Sequence, residues 1–417
     1  MRHYALLLLI LIFASIQASA VTTINYYTWR AQEQVLWEEI SNRNLIPGVK
    51  INVRVVRYQA HESFKPHVTI EMLHDEADLF QWSPGASNLK PLIDKGLIKP
   101  NQADVSDINK AALLASMGPD GRYYGVPFAL QLQSLLVNRK QVNKSGIDGQ
   151  PSSLDELDRN FAKLKSNGVT PLHLAGSANW LLNQVVSEVM MAGLVEEEFA
   201  DRLEKGQACF TDRNYTEIFR VMGTWRDKGY FNTEWEKEGY AGMNNSVALG
   251  NSAMAFDGGW KTGPASNFWE VDADFQFDFW AVPGKVAKVY ALGDGTYQVN
   301  HTSSRAEAAY KALQFTATQE FATLFAEYVK EIPAYGGSIS ISNPILRRMS
   351  SLLADNSYTV SLFTSDRLNK GSPSYNDLVA EAFKKVLTRE FSPEEAGRFI
   401  QKGLNSWNYV GKQRCGT

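Results

Sequence analysis

Short apolar or β-branched runs alternate with amphipathic helical stretches along nearly the whole chain, and this alternation restricts the fold more than any other feature. Ile24 to Trp29 is a strand candidate, followed by a helical pattern from Gln34 to Ser41. Val49 to Tyr58 alternates and is β-branched, which predicts a second strand. Ala77 to Trp82 predicts a third, ending at the turn Ser83-Pro84-Gly85. Strand–helix–strand order of this kind builds mainly parallel sheets flanked by helices, because a parallel pair needs a crossover long enough to hold a helix. The fold class is therefore α/β. Capping-box signatures at Ser153 to Glu156 and Ser304 to Glu307 mark helix starts, the second opening a helix through Phe315. Ser392-Pro393-Glu394-Glu395 adds proline at the first helical position. The chain has 417 residues, enough for two lobes with their own cores. It shows neither an internal repeat nor a low-complexity linker, so ordinary strand segments should make the crossings between lobes.

The first twenty residues read as a targeting segment. Arg2 and His3 are followed by an apolar run from Ala5 to Phe13. Ala18-Ser19-Ala20 then offers a cleavage site, which places the mature start at Val21. A buried first helix is the other reading of this run, which is too short to anchor in a bilayer. Val21 is not a cysteine, so a protein free of a lipid anchor is expected, in the periplasm. The formal charge of -3 offers no concentration of Lys and Arg for nucleic acid or an anionic membrane. Cys209 and Cys415 are the only cysteines. A bond between them would pin the C-terminal tail to the second lobe, and two separate, partly buried thiols are the alternative.

Familiar catalytic signatures are missing. The chain has no G-x-S-x-G elbow, no H-E-x-x-H and no phosphate-binding G-x-x-x-x-G-K-[ST]. His61, His67 and His74 are spaced too loosely to specify a metal site over a solvated face. Asp75-Glu76-Asp78 and Glu196-Glu197-Glu198 read as solvated faces or helix ends. No carboxylate pair is singled out as the acid and nucleophile of a glycosidase. A binding protein without cofactor, metal or catalysis is therefore expected, with a secreted carbohydrate-active enzyme as the rival from another class.

Five segments, in order, carry a resemblance. They are Ala77 to Trp82 with Leu89 to Leu92 and Lys95 to Ile98; Gly121 to Pro127 leading into Ser134 to Lys140; Pro151 to Leu157 with Gly168 to Leu172; Leu249 to Trp260; and Phe277 to Gly284 with Gly293 to Tyr297. Together they resemble the family 1 extracellular solute-binding proteins, the group that includes the maltose-binding proteins. The resemblance implies a two-lobed periplasmic-binding-protein fold of class II whose lobes close over a ligand. It also implies work as a monomer with the permease subunits of an ABC importer. It places three crossings near Leu130 to Ser134, Asp294 to Tyr297 and Thr359 to Asp366. Residues 21–132 and 298–358 would form lobe 1, and residues 133–297 and 359–417 lobe 2.

The expected ligand is a sugar, whose hydroxyls need paired donors and acceptors and whose C–H faces stack on aromatic rings. By the family pattern Trp82 and Trp260 contact it, with an ordinary core tryptophan as the alternative reading of Trp82. Gln131 stands where maltose-binding members carry a ligand-contacting glutamate, and Gly85 where they carry a sugar-binding Asp, which argues against maltose itself. Lys261 could donate to a hydroxyl or to an anion, or face solvent. Trp29, Arg30 and Glu33 lie on the first strand-to-helix loop, beside the cleft in this family. Arg30 could hold a carboxylate bidentately or simply neutralise Glu33. Asn179, Trp180 and Asp294 complete the candidates. Arg30 and Lys261 keep an anionic or non-sugar solute, such as a uronate or a polyol phosphate, as the alternative ligand. Trp37, Trp225, Trp235, Trp269 and Trp280 read as core.

Overall fold

The computed structural model describes residues 21–56, 61–101, 103–262, 268–358 and 366–415; the targeting segment lies outside them. Among the described residues eleven strands form two sheets: β1 (Thr22–Thr28), β2 (Val49–Val55), β3 (Leu79–Trp82), β4 (Val126–Pro127), β5 (Leu130–Asn138), β6 (Thr170–His173), β7 (Ser252–Gly258), β8 (Phe277–Trp280), β9 (Val289–Gly293), β10 (Thr296–Val299) and β11 (Ser357–Tyr358). The first sheet runs β2-β1-β3-β10-β4 and the second β11-β9-β5-β7-β6, with β8 also pairing β5. Helices flank both, as the alternating pattern predicts.

The sheets are mixed rather than mainly parallel. β1, β2 and β3 are parallel, with a helix crossing over between each successive pair, whereas β10 is antiparallel to both its neighbours. In the second sheet β5 is antiparallel to β7, β8 and β9. The physical reason lies in the connections. β5 and β10 are entered directly from the other lobe and need no helical crossover, so nothing imposes the parallel direction on them.

The chain passes between the two sheets at 128–129 and again at 294–295. The chain leaves the first sheet after β4 and enters the second at β5, and it returns between β9 and β10. These segments and a third pair through their main chains. Phe128 N–H donates to Gly295 O at 3.2 Å and Asp294 N–H to Ala129 O at 3.1 Å. On the other side Leu130 N–H donates to Ile332 O at 3.0 Å and Ala334 N–H to Phe128 O at 3.1 Å. The third segment is 332–334; of the stretch Thr359 to Asp366 expected for it, residues 359–365 lie outside the described residues. Beyond it, the helix Pro344–Asn356 packs on β9 and β11, and β11 pairs with β9. Residues 344–358 thus go with the second sheet, a correction to the sequence-based division.

Of the helix-start signatures, the box at Ser392 forms fully, with Pro393 in the first turn. At Ser153 only half forms, because Glu156 reaches back to Ser152 instead. At Ser304 it does not form. That residue's N–H and hydroxyl both bond Asp75, at 2.9 and 2.5 Å, and the helix begins at Ala306. Cys209 and Cys415 are disulfide-bonded, with Cα atoms 5.7 Å apart. Among the described residues no helix is long and apolar enough to cross a membrane, and no three His, Cys, Asp or Glu side chains gather as a metal site.

Candidate functional site

At the three crossings the side chains form one buried polar cluster. β1 ends on Thr28, whose Oγ1 accepts the Arg30 backbone N–H at 2.8 Å and so turns the chain inward before the helix Glu33–Asn42. Arg30 then spends each guanidinium nitrogen on a different carboxylate. Nε donates to Glu33 at 2.9 Å, one terminal nitrogen to Asp294 at 3.2 Å and the other to Glu331 at 2.5 Å. The guanidinium also lies 5.0 Å above the centre of the Phe128 ring. Gln131, from β5, donates its amide to Glu331 at 2.7 Å and to Asp294 at 3.3 Å. Every crossing thus contributes a side chain to the cluster.

Burial and charge set the protonation of this cluster. Burial alone would pull the Arg30 pKa down, but Glu331, Glu33 and Asp294 outweigh it and push it up. Glu33 is fully buried and accepts from Arg30, Gln81, Tyr26, Tyr297 and Trp37. Burial raises its pKa, and Arg30 with the Tyr and Trp donors pulls it back. Asp294 is different. Its side chain keeps 31 % of its surface open, yet the carboxyl sits low enough in the cleft that burial lifts its pKa to about 7; Arg30 opposes this, and Glu331 and Glu33 add to it.

The second lobe meets this floor through the turn that follows β7. A Cβ on Gly259 would lie 2.8 Å from Gln131 Oε1 and 2.4 Å from Met349 Cε, so only glycine lets the turn approach so closely. Thr262 Oγ1 bonds Lys330 O at 2.7 Å, next to Glu331. Between these contacts sits Trp260, half-buried, with Trp180 at 6.3 Å and Tyr240 as its indole partner. On the first lobe, Trp29 packs edge-on to Phe64 at 5.0 Å and lies 6.2 Å from Phe128. Each lobe therefore brings partly open aromatic side chains to the hinge, with acceptors and amides between them.

Residues 33–322 match the sequence pattern of the family described as bacterial extracellular solute-binding protein. The chain belongs to that family. Its members are binding proteins rather than enzymes. The chain is also 28 % identical over 219 residues to an uncharacterized ABC transporter extracellular-binding protein of Pyrococcus horikoshii; the match covers 51 % of this chain and 47 % of that relative, about half its length. Among solved structures it resembles a chitin oligosaccharide binding protein, with a TM-score of 0.68 and 19 % identity over 92 % of this chain and 98 % of that one. It also resembles the solute-binding protein RafE in complex with raffinose, with a TM-score of 0.71 and 17 % identity over 94 % and 100 %. These likenesses carry the two-lobed fold.

In this solute-binding protein the sequence-expected residues are only partly brought together. Trp29, Gln131, Trp260, Trp180 and Asp294 surround the hinge. Arg30 and Glu33 lie beneath it, with every guanidinium nitrogen of Arg30 and both oxygens of Glu33 already bonded. Trp82 is placed in the core, 3 % exposed, where its Nε1 donates to Asn88 O at 2.8 Å and its ring packs edge-on against Phe80. The neighbouring Gly85 holds φ 93°, ψ 156° to start the helix that buries it, a backbone region closed to an aspartate without strain. Lys261 is likewise buried, 3.9 Å from Asp257 and over the faces of Tyr240 and Phe268. Burial lowers its pKa and Asp257 opposes the shift. Asn179 is exposed and accepts from Lys384 at 2.6 Å. Sequence reasoning missed Glu331, Tyr240, Asp257 and Phe128 as site residues; Asp257 lies within the Leu249 to Trp260 segment and Phe128 directly after Gly121 to Pro127, whereas Glu331 belongs to none of the five segments. Trp37, Trp225, Trp235 and Trp280 are buried, and Trp269 is half-buried. A groove of about 680 Å³ lies elsewhere, between Leu45, Pro47, Tyr310 and Phe315. It holds none of the hinge residues and is set apart from the cleft.

Proposed function

We propose that this protein is the receptor of an ABC importer and captures a neutral saccharide between its lobes for delivery to the permease, without catalysis. One observation carries the choice of ligand. The two cations that would recognise an anion are both committed: Arg30 to three carboxylates and Lys261 to Asp257 and two rings. What remains open at the hinge is aromatic surface and the Asp294 carboxyl, with the Gln131 amide buried behind it, which suits hydroxyls and C–H faces. The sugars named for the structural neighbours, raffinose and chitin oligosaccharides, support the same class. The N-terminal apolar run and its small-residue cleavage site support export to the periplasm, where the protein acts as a monomer.

The test is calorimetric titration of the mature protein with raffinose, chitin oligosaccharides and uronates at two salt concentrations. A neutral sugar should bind with little salt dependence. Trp260→Ala should weaken that binding tenfold or more, since the buried ring face contributes about 1–3 kcal/mol. A preference for uronates that fades with salt would overturn the neutral reading. Release of product from any of the sugars would overturn the non-catalytic one.

A further inference from the structure

We propose that Tyr240, backed by Asp257 and Lys261, is the positioning centre for the two hinge tryptophans of the second lobe, Trp180 and Trp260, so that saccharide affinity depends on a hydroxyl that does not itself touch the ligand. The inference rests on the cleft-binding reading above and adds to it the groups that aim the platform.

The geometry runs in one direction. Trp260 Nε1 donates to the Tyr240 hydroxyl at 2.6 Å, and that hydroxyl donates to Asp257 Oδ1 at 2.8 Å. A phenol has a single proton to give. Once it goes to Asp257, the oxygen's lone pairs face the indole, and each bond fixes the other. Asp257 is held in turn. Its Oδ1 also accepts the Gly258 N–H at 2.9 Å, on the strand that leads into the Trp260 turn.

The remaining sides of the Tyr240 ring are occupied too. Trp180 packs edge-on against it, with centroids 4.9 Å apart and planes at 69°. The Lys261 ammonium lies 4.4 Å from its centroid, where a buried cation gains from the ring's electron-rich face. The same ammonium is 3.9 Å from Asp257 Oδ2, an oxygen with no hydrogen-bond partner among the described residues, and so compensates the buried carboxylate. Tyr240 therefore orients Trp260 through its hydroxyl and Trp180 through its ring edge. Trp180 is 38 % exposed and Trp260 half-buried, so both retain ring surface for a ligand. Ring planes fixed before binding have less freedom to lose on binding, which is where such an arrangement gains affinity.

Tyr240→Phe separates the two functions, keeping the ring and removing the hydroxyl. The Trp260 indole N–H resonance, assigned by its loss in Trp260→Phe, should move in the ¹H–¹⁵N spectrum of the variant. Affinity for raffinose or the chitin trisaccharide, whichever the wild type binds, should fall roughly two- to tenfold, the range for one lost hydrogen bond. A folded variant with an unmoved resonance and wild-type affinity would overturn the relay and leave the saccharide reading intact. If the wild type binds neither sugar, the saccharide reading fails and the relay's part in binding fails with it. Should the variant not fold, the wild type still decides. The Trp260 indole N–H should exchange with solvent more slowly than that of Trp180, and equal rates would overturn the proposal.

Discussion

Arg30 shows how far a single side chain can be committed by its neighbours. Its pairing with Glu33 was legible in the sequence, because the two stand three apart at a strand-to-helix turn. Glu331 was not legible: it lies about 300 positions away in an irregular segment without a motif. Three carboxylates share one guanidinium, and Asp294, the partly open one, has its pKa raised to about 7. The sign of the pH effect follows. The folded protein keeps a proton that the unfolded chain releases near the ordinary aspartate pKa of about 3.9. This carboxyl's contribution to stability is complete below that pH, declines as pH rises and is lost above about 7. Asp294→Asn should therefore flatten the fall in urea midpoint between pH 5 and pH 8, with the gain over wild type larger at pH 8. Parallel pH profiles for the two proteins would refute the assignment. Arg30→Met should cost about 3–5 kcal/mol, because it leaves carboxylates buried without their cation, and urea unfolding at pH 7 measures it.

At the scale of elements, periodicity located strands and helices well and motifs located their ends less well. β1 and β2 and the helix Glu33–Asn42 lie within a few residues of the patterns that predict them. The Ser304 box failed because a capping motif describes only local competition for an N–H, and Asp75, far off in sequence, offered both of its oxygens. The helix Ser187–Leu194 poses a different question, because all eight of its residues are buried, including Glu188. Neither Glu188 carboxyl oxygen has a hydrogen-bond partner among the described residues. Burial, reinforced by Glu204, raises its pKa well above the usual carboxylate range. An unpartnered buried polar group costs about 1–3 kcal/mol. Glu188→Met, similar in volume and free of polar oxygens, should therefore stabilise the protein by about that amount. Because the folded pKa is raised, the native glutamate loses stability as pH climbs above the ordinary value of about 4.3. The gain from Glu188→Met should accordingly be larger at pH 9 than at pH 6. A destabilised variant at both pH values in chemical denaturation would mean that Glu188 makes a contact of real worth.

For the whole molecule, stability and motion are built in different places. The lobes are joined where 128–130 hydrogen-bonds to 294–295 on one side and to 332–334 on the other, a narrow strip that can bend while both sheets stay intact. The disulfide lies well away from this strip. It ties the C-terminal Lys412–Cys415 turn to the segment ahead of the helix Arg213–Asp227, which packs with the helices Tyr375–Leu387 and Pro393–Asn405 in the second lobe. Both cysteines therefore belong to one lobe, although 206 residues separate them. Cross-linking so long a loop reduces the entropy of the unfolded chain by an amount equivalent to about 5 kcal/mol at room temperature in the chain-entropy account. Reduction should then lower the melting temperature by roughly 5 °C or more. Because no part of the bond crosses the hinge, reduction should leave lobe closure untouched. Small-angle scattering should record the same contraction on adding a bound sugar, with or without reductant, at a temperature where both forms are folded. Loss of the contraction in the reduced protein would mean that the second lobe needs its cross-link to present Trp260 and Trp180. Equal melting curves would mean instead that the C-terminal helices hold the tail without the bond.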